Sequence, residues 1–86
     1  MQRPWVSSAA YKAAITFLIG RRRELGVSQR ELANRLQKPR SFVTKIEGRD
    51  RRVDIVEFVM IARALGVSPE ELIAGVAGAL PNQVDF

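Results

Sequence analysis

The sequence predicts an all-α fold of five helices, on three observations. Apolar residues recur at helical spacing through five separate segments. A capping residue or a proline precedes each segment, and a glycine or a proline follows it. No segment alternates apolar and polar residues with the period of a strand, and the chain has no internal repeat. Its 86 residues suffice for one small domain with a single core, and 47% apolar residues are ordinary for a folded chain.

Residues 1–7 read as an N-terminal arm, because Pro4 and Trp5 precede any periodicity. Ser7 or Ser8 is the expected N-cap of the first helix, AAYKAAITFLIGRRREL, which Gly26 closes from the C′ position. Ala14, Leu18, Arg22 and Leu25 fall on one stripe of it, and Gly20 weakens it by up to about 1 kcal/mol against alanine. An arginine on an apolar stripe either snorkels to solvent or pairs with a buried carboxylate.

Ser28 caps the second helix, and Glu31 three residues later completes the pattern of a capping box. Leu32, Ala33 and Leu36 are its apolar positions, and Gln29 stands in its first turn, where backbone N–H groups favour anions. The turn Gln37-Lys38-Pro39 is short, and Pro39 marks the start of a third helix over about 40–47, ending at Gly48. Val43 and Ile46 anchor that helix from one side, leaving Arg40, Ser41, Thr44 and Lys45 on the other. After the charged loop Arg49-Asp50-Arg51-Arg52, Asp54 caps a fourth helix with Ile55, Phe58, Ile61, Ala62 and Leu65 as its buried face. Gly66 closes it. Ser68-Pro69-Glu70-Glu71 opens the fifth helix with a cap, a proline at N1 and first-turn acids. Leu72, Ile73, Val76 and Leu80 are its apolar positions, and Pro81 stops it. The expected organisation is therefore an arm at 1–7, a domain at 8–80 and a loose tail at 81–86.

Composition excludes several classes of function. Without cysteine there is no disulfide framework or thiolate metal site, and without histidine the commonest metal ligand and general base are missing. Glu70 and Glu71 are adjacent and diverge on a helix, and no Gly-rich phosphate loop is present. The expectation is a non-enzyme with no catalytic residues, no metal site and no cofactor. No apolar run reaches the roughly 18 residues of a membrane span, and MQRPW lacks the apolar core of a signal peptide, so a cytoplasmic, nucleoid-associated location is expected.

Charge carries the positive information. The formal net charge is +5, but it is unevenly placed. From Arg21 to Arg52 there are eleven Lys/Arg against four Asp/Glu, a local +7, whereas from Val53 to Phe86 Arg63 stands against five acids, a local −4. A basic middle and an acidic end point to one surface that meets a polyanion. Arginine outnumbers lysine eleven to three, which favours bidentate recognition of phosphate or guanine. Two helices over 29–47, one side packed and the other carrying hydrogen-bonding side chains, suit insertion into a nucleic-acid groove.

On LGVSQRELA, then PRSFVTKIE, then ALGVSPEELI, in that order and spacing, the chain resembles the phage repressor/Cro-type (XRE-family) helix-turn-helix regulators over roughly 18–73. The resemblance implies a lambda-repressor-like domain whose second and third helices form the motif, with the third in the major groove of double-stranded DNA. It implies base contacts from Arg40, Ser41, Thr44 and Lys45, with Gln29 on a phosphate and bracing the third helix. Lys38, Arg49, Arg51 and Arg52 are further expected phosphate contacts, by charge and position. It implies a buried salt bridge between Arg22 and Glu47, which accounts for the arginine on the apolar stripe. Two positions depart from the family's pattern. Gln37 stands where glycine is common and is expected at positive φ at some cost; Phe42 stands where a small polar residue is common and is expected either to cover the rim of the core, the favoured reading, or to contact a thymine methyl.

A domain of this size reads few base pairs, so a homodimer on a pseudo-palindromic operator, acting as a repressor, is the leading expectation. Helix five with the tail (Val76, Leu80, Phe86) and the arm with Trp5 are the candidate dimer surfaces. The alternatives are an autoregulating antitoxin with a toxin partner, and a protein–protein interaction module on the same fold. What remains of the chain leaves no space for a ligand domain or effector pocket.

Overall fold

The computed structural model describes residues 8–83, and within them the five expected helices form in order. They are α1 (Ala9–Glu24), α2 (Gln29–Leu36), α3 (Arg40–Glu47), α4 (Ile55–Leu65) and α5 (Pro69–Ala79). The arm at 1–7 and the last residues of the tail, 84–86, lie outside the described residues, and so do Trp5 and Phe86.

Local chemistry sets the ends of these helices. Of the two serines offered as caps for α1, Ser8 serves, its Oγ accepting from Tyr11 N at 3.2 Å. Gly26 at φ 72° and Gly66 at φ 77° close α1 and α4 in the left-handed region, which glycine enters without steric cost. Gln37 does adopt positive φ, at 57°, ending α2 so that Lys38 N can donate to Ala33 O at 3.0 Å. Arg49 adopts a second positive φ, 61°, that the sequence did not signal. The capping boxes also differ from expectation. At α2, Ser28 caps Glu31 N, but the Glu31 carboxylate turns to Arg35. The complete box is at α4, where Asp54 caps Glu57 N and Glu57 accepts from Asp54 N.

The core gathers Ile15, Val27, Leu32, Ala33, Val43, Ile46, Ile61 and Leu65. Leu18, Leu36 and Phe42 pack around it, so Phe42 covers the rim as expected. At the other side of α1, Phe17 lies so close to Gly75 of α5 that a side chain there would collide with its ring. Three of the apolar positions expected from the sequence stand exposed instead. Leu25, placed on the α1 stripe, is 37% exposed because the helix ends one residue earlier. Ile55 is 81% exposed: it continues backwards the stripe of half-buried Phe58 and buried Ala62 and Leu65, but past the point where other helices cover α4. Ile73 is 51% exposed. An open groove of about 500 Å³ runs between α1, α4 and α5, lined by Leu18, Ile55, Phe58, Val59 and Ile73. The chain thus has more concave apolar surface than its length suggested. No helix among the described residues is long and apolar enough to cross a membrane.

Candidate nucleic-acid interface

α3 has no side-chain cap of its own, since Pro39 precedes it, so its position rests on tertiary anchors. Val43 and Ile46 are buried beneath it. Its C-terminal end is tied to α1 by Arg22, whose Nε and Nη2 donate to the two Glu47 carboxylate oxygens at 2.6 and 2.9 Å. The third guanidinium nitrogen, Nη1, donates to Val27 O at 2.8 Å and so fixes the α1–α2 turn as well. The two side chains are 7% and 12% exposed, and no buried side-chain polar atom among the described residues lacks a partner. The resemblance's expectation of this bridge is met. The arginine stays on the apolar stripe because every donor it buries is used.

The same carboxylate organises the exposed face at the start of α3. Gln29, in the first turn of α2, donates through Nε2 to Glu47 Oε1 at 2.8 Å. That orients its amide oxygen toward Arg40, whose Nη2 donates to Gln29 Oε1 at 3.4 Å. A relay therefore runs from buried Arg22 through Glu47 and Gln29 to the exposed guanidinium at the start of α3. Gln29 braces α3 in this way and keeps one amide hydrogen for another acceptor. Ser41 and Lys45 are exposed beside Arg40. Thr44 is half-buried and its hydroxyl donates to Ser41 O at 3.2 Å, which leaves the oxygen able to accept a further hydrogen bond.

Arg22, Arg23, Ser28, Gln29, Arg30 and Arg40 line a polar cleft of about 540 Å³ beside α3. Arg23 and Arg30 are absent from the sequence-derived set of contacts. Arg23 follows Arg22, which was expected in the salt bridge and not among the contacts, and Arg30 follows Gln29, an expected phosphate contact; adjacency to Gln29 was the signal available for Arg30. Neither they, Arg40 nor Lys45 makes an ion pair with a carboxylate among the described residues. Other arginines do: Arg21 meets Glu24 and Glu71, and Arg35 meets Glu31.

The loop after α3 is built differently. Arg51 makes a bidentate pair with Glu57, at 3.0 and 2.9 Å, and its guanidinium lies 4.9 Å from the centre of the Phe42 ring. Lys38 Nζ stands 5.7 Å from the same ring. Arg52 lies 5.8 Å from the Tyr11 ring, and Tyr11 Oη donates to Arg51 O at 3.5 Å. Arg49 is half-buried and Arg52 exposed. The hydrogen bonds from Arg51 hold the Glu57 carboxyl below the usual glutamate range, and the same pair raises Arg51. Burial raises the Tyr11 phenol. Arg51, expected on a phosphate, thus already holds an intramolecular carboxylate, whereas Arg23 and Arg30, not expected there, hold none. Among the described residues no group of three or more carboxylates is placed to hold a metal ion.

A helix-turn-helix family profile (HTH_3) matches residues 19–72. Among solved structures, the chain is similar to an XRE-family like protein from Pseudomonas syringae pv. tomato str. DC3000. The two are 38% identical, with 85% of this chain and 89% of that chain covered and a TM-score of 0.76. It is also similar to the clp gene regulator ClgR from C. glutamicum, at 24% identity, with 86% and 96% covered and a TM-score of 0.74. That second likeness shows the fold alone. No curated protein matches the chain.

Proposed function

Since the chain belongs to the XRE-type helix-turn-helix family, we propose that it is a sequence-specific double-stranded DNA-binding regulator acting as a dimeric repressor on a pseudo-palindromic operator. α3 enters the major groove with its N-terminal half leading. Arg40 donates through its fork to guanine O6 and N7, a pairing that discriminates by about 1–3 kcal/mol. Gln29 aims that fork, and Ser41, Thr44 and Lys45 read or flank the neighbouring bases. Arg23, Arg30 and the first-turn N–H groups of α2, with Gln29, take the phosphates on one side of the groove. Lys38, Arg49 and Arg52 take those on the other. Arg51 contributes its charge while holding the loop in shape.

The observation that carries this reading is the set of cations without carboxylate partners, Arg23, Arg30, Arg40 and Lys45, gathered around the α2–α3 unit. A surface meant only to be solvated gains nothing from leaving these four unpaired while Arg21, Arg22, Arg35 and Arg51 all find glutamates. Selection of bound sites from random duplex DNA tests the reading, followed by a salt titration on the selected site. A two-fold symmetric consensus, with half-sites about 34 Å apart and affinity falling steeply with salt, is the expected result. Absence of any enriched sequence would overturn it.

A further inference from the structure

α4 carries only two charged residues, Glu57 and Arg63, and is otherwise apolar around most of its circumference. A helix of that kind is normally covered on all sides. Here one side faces the core through Ile61, Ala62 and Leu65, and the opposite side has no cover. Val56, Met60 and Arg63 run along the outermost line, with Ile55 and Val59 beside it facing the apolar groove. Ile55 is 81% exposed, Val56 67%, Met60 46%, and Ile73 across the groove 51%. Such a patch amounts to roughly 400 Å², within the range of the largest apolar patch on a monomer, which is often functional.

We infer that this face joins two copies of the chain, with α4 packed antiparallel against α4 of its partner across a two-fold axis near Val59. The inference rests on the dimeric reading above and supplies its interface. Three features select a second copy as the occupant. The first is charge. The groove's rim at the N-terminal end of α4 is acidic, from Asp54 and Glu70, and the C-terminal end of the same face carries Arg63, which makes no ion pair among the described residues. Antiparallel packing brings the Arg63 of each copy to the acidic rim of the other, so the face complements itself under a two-fold rotation. The second is position. α4 begins three residues beyond Arg52, so the interface abuts the basic loop at the end of α3, where a dyad must lie for two α3 helices to reach one side of a duplex. The third is size. The exposed apolar patch is about half of what each partner gives to a standard interface, and Asp54, Glu70, Arg63 and the groove walls extend it. Val76, one of the dimer contacts expected from the sequence, is buried within the chain instead.

The test uses the full chain with Val56→Glu and Arg63→Glu, both exposed positions, and sedimentation over a range of concentrations. The wild type is expected to sediment as a dimer, Val56→Glu as a folded monomer with an unchanged helical spectrum, and Arg63→Glu to dimerise at least about tenfold more weakly. Because the chain has no cysteine, a single Val59→Cys is expected to cross-link with a short bis-maleimide, and Ala77→Cys is not. On DNA, Val56→Glu should keep wild-type affinity for an isolated half-site and lose on the order of 100-fold on the full palindrome. A monomeric wild type, a dimeric Val56→Glu, or equal cross-linking at positions 59 and 77 would overturn the interface. Loss of half-site binding by the wild type itself would instead count against the DNA-binding reading.

Discussion

The surface around Gln29 and Arg40 and the outer face of α4 are both left incomplete by the fold, in opposite ways. Around α2 and α3 the chain leaves cations without carboxylates: Arg23, Arg30 and Arg40 line a polar cleft, and Lys45 stands exposed on α3. On α4 it leaves apolar side chains without neighbours: Ile55, Val56 and Met60 face solvent. Unpaired charge is cheap to hydrate and attracts a polyanion over a distance set by ionic strength. Unpaired apolar surface is costly in water and is relieved only by contact with another apolar surface. The first surface therefore calls for a charged ligand and the second for protein, which is the division of labour a paired DNA reader needs.

The strongest way to break this comparison is to remove the residue that supports the first surface from beneath. Glu47→Ala leaves Arg22 buried and unpaired and frees Gln29, so chemical denaturation should show a loss of about 3–5 kcal/mol. A loss below 1 kcal/mol would mean that the bridge neither supports α3 nor anchors the relay. Arg40→Ala acts on the same surface from outside. Its stability should match the wild type, while preference at one base position of the selected site falls by about 1–3 kcal/mol and the other positions keep theirs. Uniform weakening across a base-substituted series would turn Arg40 into a phosphate contact.

Two smaller effects separate cations that are available from cations that are engaged. Arg30→Ala should weaken binding to every sequence and flatten the log–log salt dependence by about one. Arg51 is also a phosphate contact expected from the sequence, but with its guanidinium committed to Glu57 and Phe42, Arg51→Ala is chiefly a loss of loop order. Its salt slope should change by less than that of Arg30→Ala, and equal slopes would restore Arg51 as a full phosphate contact. The smallest effect is in acid. Because Arg51 depresses the Glu57 carboxyl, the pair's contribution is present above the ordinary glutamate range and is lost as pH falls through the lowered folded value. The pair is partly exposed, so its worth is below about 1 kcal/mol. The stability difference between wild type and Glu57→Gln should thus be constant at neutral pH and shrink below about pH 4. A difference that persists at pH 2 would assign it to packing instead of charge.

Much of the fold was legible because much of it is local. Ser8, Ser28, Asp54 and Ser68 cap where their hydroxyls or carboxylate can reach an N–H three residues on, and Gly26 and Gly66 close helices where φ must be positive. Gln37 was legible as an exception for the same reason: a helix that must stop there needs a left-handed residue whatever its side chain. The site was legible in part. Arg40, Ser41 and Lys45 stand exposed on α3 as the buried positions Val43 and Ile46 imply. Arg23 was not found, since nothing in the run Arg21-Arg22-Arg23 distinguishes the arginine that will meet a glutamate from the one that will not, and Arg30 was missed although it adjoins Gln29.

By itself the sequence determined where each helix starts and stops, which residues of α3 are held and which are offered, and that the basic and acidic halves differ. Caps, turns and periodicity act over three or four residues, a span in which chain connectivity leaves few alternatives. Only the tertiary structure decided that Arg22, Glu47, Gln29 and Arg40 form one relay, that Arg51 is engaged with Glu57, and that Ile55 and Ile73 stay outside the core. Those outcomes depend on distances between segments far apart in the chain, and packing sets them. Ile55 and Phe58 share one stripe of α4, yet the neighbouring helices reach only as far as Phe58.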